Sequence, residues 1–137
     1  MSLDLVLSCW RHGQMHRLPT TQLSAPFQPL VLRRAPRCLV LGLADGQESL
    51  LFGDHAADNG HGLTLSRPVD DPALWQAVFE ALQCVGTVLL VPGPVPPLVG
   101  QADTLPQLPA DMVDSLGAPA LAASPADIRR WVVAGAG

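Results

Sequence analysis

The chain has 137 residues, a length that fits one domain able to bury roughly two thirds of its unfolded surface. Hydrophobic residues make up 48% and charged residues only 15%, a balance that excludes a disordered or highly charged adaptor. The net charge of −4 is unevenly spread. Residues 9–37 carry Arg11, Arg17, Arg33, Arg34 and Arg37 with no acid, and from Asp54 onward nine acids stand against Arg67, Arg129 and Arg130. So thin a basic segment makes no general nucleic-acid surface, and an acidic C-terminal part suits a basic protein partner or solubility.

Leu3 to Trp10 alternates, with Leu3, Leu5, Leu7 and Cys9 on one face and Asp4 and Ser8 on the other, which predicts a first strand. Arg11 to Pro29 is polar and broken by proline, with an irregular second strand expected around His16–Leu23. Cys38 to Leu43 is continuously apolar and reads as a central strand. The turn Ala44-Asp45-Gly46-Gln47 returns it into Glu48 to Phe52, so 38–52 is a predicted hairpin. A polar loop follows from Gly53 to Gly62, then a strand in which Leu63 and Leu65 oppose Thr64 and Ser66.

The most informative stretch is Val69 to Val91. Asp70 and Asp71 offer carboxylates to the unpaired N–H groups of a helix start, and Pro72 suits the first helical position. Leu74, Trp75, Val78, Phe79, Leu82 and Val85 recur at helical spacing along one apolar stripe, and Gly86 is placed to end the helix. Thr87 to Val91 lacks polar alternation, as expected of a strand covered on both faces. Pro92 to Pro97 excludes regular helix; it reads either as a stiff connector or as a polyproline ligand. Leu98 to Gly100 is expected to be a short edge strand. A helix should begin near Pro109 and end before Gly117, with Met112, Val113 and Leu116 inward. Ala118 to Ala122 is a further strand candidate, and Ser124, Pro125 and Asp127 match a capped start to a last helix through Val133.

The expected fold is therefore a single α+β domain over residues 1–133: a β-rich N-terminal half of antiparallel strands, then alternating helices and strands packed on one sheet. Residues 134–137 are expected to form a flexible tail.

Cys9, Cys38 and Cys84 are odd in number and far apart, which suggests buried free thiols in a reducing compartment. Asp4 and Arg11 interrupt the N-terminal apolar run, and no run approaches the roughly 20 residues that cross a bilayer. A cytoplasmic protein with no membrane role is expected. Cys9, His12 and His16 have a spacing that could supply three zinc ligands, set against a buried cysteine followed by two loop histidines. Asp54, His55, Asp58 and His61 form the best enzyme-like cluster, since His with Asp can do acid–base work or hold a catalytic metal. The same Asp-Asn-Gly composition also makes an ordinary solvated loop. The common hydrolase, nucleotide-binding and zincin motifs are missing. Trp75 and Trp131 lie on helix faces and read as core; Trp10, near a strand end, is the best candidate for an exposed aromatic anchor. These features favour a protein-binding module without a cofactor over a small hydrolase or metalloenzyme. A secretion accessory is a third reading.

LWQAVFEALQCVGTVLLVPG (74–93) and LPADMVDSLGAPALAASPADI (108–128) resemble small bacterial immunity proteins of polymorphic or type VI secreted toxins. The resemblance covers part of the C-terminal half. It implies a partner, the cognate toxin, bound directly in the producing cell, and no catalytic residues. Because such inhibitors often steer association with acidic groups, it implies contact through Asp54, Asp58, Asp103, Asp111 and Asp114, with Trp10 as the aromatic candidate.

Overall fold

In the computed structural model residues 3–17, 20–53 and 62–136 are described. The chain opens with β1 (Asp4–Arg11), which turns through His12 and Gly13, both at positive φ, into the two-residue β2 (Gln14–Met15). Where a second strand over His16–Leu23 is expected, Thr20–Ser24 instead forms a short helix, α1. A 3-10 turn, Ala25–Leu30, continues it. Leu23 and Phe27 go fully into the core from these turns. Strands β3 (Val31–Ala35), β4 (Cys38–Gly42) and β5 (Glu48–Phe52) then form a meander. The β4–β5 turn is the expected one, with Asp45 and Gly46 at positive φ.

β6 (Leu63–Ser66) leads into α2 (Pro72–Leu82). Asp71 caps α2 by accepting from Ala73 N at 2.8 Å, and its second oxygen accepts from Ala44 N of the β4–β5 turn. Asp70, expected to share the capping, turns to other partners. The stripe Leu74, Trp75, Val78 and Leu82 is buried as predicted, but the helix stops at Leu82 and Val85 is exposed. Gly86 is therefore not the helix cap. It sits at φ 94° where the chain passes β1, and a Cβ there would lie 2.6 Å from the carbonyl oxygen of Trp10.

β7 (Thr87–Leu90) follows, then β8 (Leu98–Val99), a 3-10 turn (Ala102–Gln107), α3 (Ala110–Leu116), β9 (Ala120–Leu121) and α4 (Pro125–Ala136). The α4 start is a reciprocal cap: Asp127 N donates to Ser124 Oγ and Asp127 accepts from Ala123 N. The helix carries on to Ala136, into the residues expected to be a tail.

Among the described residues one sheet runs in the order β3-β4-β5-β6-β1-β7-β8-β9, with β2 extending β1. Every pairing is antiparallel except β8 with β9, so the expected α+β class and antiparallel first half are found. β8, expected at an edge, is flanked on both sides; the edges are β3 and β9. One sheet face carries Leu5, Leu7, Leu39, Leu41, Leu51, Leu63, Leu65 and Leu89, and packs against α1, α2, α4 and the first 3-10 turn in the main core. A smaller core lies on the other face, where Val88, Val99, Leu108 and Met112 meet Trp10 and Leu90 beneath α3. This second layer explains why Ser8, expected to be solvated, is buried. No helix of the described residues is long and apolar enough to cross a membrane.

Candidate protein-docking face

The register of the strands sets which side chains share the face opposite the main core. Ala35, Cys38, Phe52, Thr64, Val6 and Leu90 lie in one row across β3, β4, β5, β6, β1 and β7. Arg33, Val40, Leu50, Ser66 and Asp4 form the next row. α3 covers only the β1–β7–β8 end of this face. Toward β3 no element of the described residues covers the row, with Phe52 41% exposed and Leu32 59% exposed as it lies over Gly42.

Two grooves flank α3. One, of about 500 Å³, is walled by Trp10, Gly13, Pro109, Asp111 and Ser115; the other, of about 260 Å³, by Asp4, Val6, Leu90 and Val95. Leu116 lies on both, 47% exposed, and so is not the inward residue its spacing suggested. Seven residues of helix are too short to bury more than one ridge, and Met112 occupies it. Trp10 is half-buried: its Nε1 donates to Ser8 Oγ at 2.9 Å and one side of the ring joins the smaller core. It is a wall of the groove more than a free anchor.

Of the acidic residues expected to make contacts, the fold brings Asp111 to Trp10. Asp103 is exposed on the 3-10 turn and Asp114 is exposed on α3, and neither lines the grooves. Asp54 and Asp58, with His55 and His61 of the alternative cluster, lie outside the described residues. Phe52 escaped the sequence reading because it looks like an ordinary apolar strand residue, and Leu32 because its strand has no alternation to read; only strand register reveals their shared open face.

The zinc spacing of Cys9, His12 and His16 is not assembled. Cys9 points into the main core and burial, then neighbouring Cys84, pushes its thiol pKa up, whereas His12 is exposed at the hairpin tip. Among the described residues no three His, Cys, Asp or Glu side chains gather as a metal site. Val95 and Pro97 are buried, so Pro92 to Pro97 is a connector fixed at two points.

A third cleft, of about 460 Å³, opens on the helical side between the starts of α2 and α4. Asp70 there accepts from Arg129 Nε and Nη2, both at 2.8 Å, and from Trp75 Nε1 at 2.9 Å. The Arg129 and Trp75 hydrogen bonds hold the Asp70 carboxyl at about 2. Both charges are spent on each other, which makes this a tie between helices and leaves no base or nucleophile in the cleft. The chain matches no protein-family model, no curated protein and no solved structure.

Proposed function

We propose that this chain is a protein-binding module, an immunity protein that neutralises a cognate secreted bacterial toxin by direct binding in the cytoplasm of the cell that makes both. The observation that carries the reading is the half-covered sheet face. Its row ends at Val6 and Leu90 in one groove beside α3, and Leu116 joins that groove to the one lined by Trp10 and Asp111. An aromatic wall, an exposed leucine and an exposed carboxylate on a helix packed over the sheet are the elements of a compact hot spot. The expected resemblance of residues 74–93 and 108–128 to immunity proteins points the same way, and the second segment contains α3.

The test is to identify the product of the neighbouring gene and co-express it with this chain. The wild-type chain should co-purify with that protein and restore growth. Phe52→Asp and Leu116→Asp variants, folded by circular dichroism, should protect at least about tenfold less well, the loss expected when a hot spot worth more than 1.4 kcal/mol is removed. Failure of the wild-type chain to protect against its neighbour defeats the proposal. Stoichiometric metal that disappears in a His55→Ala/His61→Ala variant would establish the metalloenzyme reading in its place.

A further inference from the structure

The edge strand β3 has an unusual make-up. Residues 32–37 are all exposed, so neither face of the strand over 32–35 is covered. β3 is hydrogen-bonded to β4 alone, and its other edge carries no strand among the described residues. Its side chains are Leu32, Arg33, Arg34 and Ala35, followed by Arg37 in the turn, and the nearest acid across the ladder is Glu48, already paired with Arg33 at 3.1 Å. An open edge is a template for another strand unless something blocks it. Here the block is selective. Antiparallel pairing with a second copy about Arg33 would set Arg33 opposite itself, which like charges on facing residues disfavour. The bulge between Val31 and Arg33 also interrupts a flat self-pairing surface. A strand of opposite charge escapes the first obstacle and can pair beyond the bulge along Arg33–Ala35.

We infer that β3 is a strand-addition site for an extended acidic segment of a partner protein. Backbone pairing along Arg33–Ala35, past the bulge, supplies the main attraction, Arg34 and Arg37 select carboxylates, and exposed Leu32 receives an apolar side chain. The β3 edge is separate from the grooves at α3, and its test variants at Arg34 and Arg37 differ from those that test toxin binding, so it stands or falls without that proposal.

The test uses the full chain, isotope-labelled, with a synthetic peptide that alternates glutamate and valine. Addition of the peptide should slow hydrogen exchange at the amides of residues 33–35, and the affinity should weaken as salt is raised. The Arg34→Glu/Arg37→Glu variant should lose at least about tenfold in affinity, and Arg34→Lys/Arg37→Lys should lose much less, since a point charge survives. A matching lysine–valine peptide, and the acidic peptide with a central proline, should not bind. The inference is overturned by absence of binding, by equal binding of the lysine peptide, by protection that maps to the α3 grooves, or by dimerisation of the chain through β3.

Discussion

At the scale of single residues, the most constrained position is Gly86. Its φ of 94° is unfavourable for a residue with a side chain, and the Trp10 carbonyl oxygen occupies the space a Cβ would need. Backbone is the obstacle there, so relief requires moving β1 or the turn before β7. Gly86 is further held by donating to Thr104 Oγ1 at 3.0 Å and by accepting from Trp10 N at 2.8 Å. Gly86→Ala should destabilise the fold by about 1–3 kcal/mol from the backbone conformation alone, with the clash adding to it. Urea unfolding of the variant checks this; an unchanged midpoint would mean the β1–β7 crossing can yield. The glycine is visible in the sequence as a helix stop. Its actual partner is a carbonyl contributed by a distant strand, which no local pattern encodes.

At the scale of elements, the joint between β6 and α2 depends on one hydroxyl. Ser49 of β5 is fully buried; its Oγ donates to Arg67 O at 2.7 Å and accepts from Val69 N at 3.0 Å. Those two backbone groups belong to a bend where Arg67 has a positive φ of 55°. Ser49→Ala leaves both without that partner and should cost about 1–3 kcal/mol, read as a lowered denaturant midpoint with unchanged m. The capped α2, the β4–β5 hairpin and the doubly buried β7 were legible because their burial and capping follow sequence-local periods. β3 was not, because a strand exposed on both faces has no alternation to read. Leu98–Val99 was misplaced at an edge for the converse reason: two residues carry no signal of how many neighbours they have. Of the docking face, Trp10 and Asp111 could be named in advance, but their meeting depends on α3 folding back over β1.

At the scale of the whole molecule, the Asp70–Arg129 pair links the start of α2 to α4 across a long stretch of chain. An aspartate ordinarily titrates near ~3.9, and Asp70 is held at about 2. A lowered folded-state value means the pair's stabilisation is complete above about pH 4 and is lost as pH falls toward 2. Asp70→Asn keeps an acceptor for the Trp75 indole but removes the charge. Its thermal midpoint should sit slightly below the parent's at neutral pH and converge with it between pH 4 and 2. Both side chains are about half exposed, so salt should shrink the neutral-pH gap. A gap that persists at pH 2 would assign the tie to packing instead.

The strand order also carries a kinetic consequence. β1 occupies the middle of the sheet, yet the strands on either side of it, Leu63–Ser66 and Thr87–Leu90, are synthesised far later. A nascent chain must therefore hold a leucine-rich segment with neither flanking strand until residue 66 and without the second until residue 90, a long interval for capture by chaperones or wrong partners.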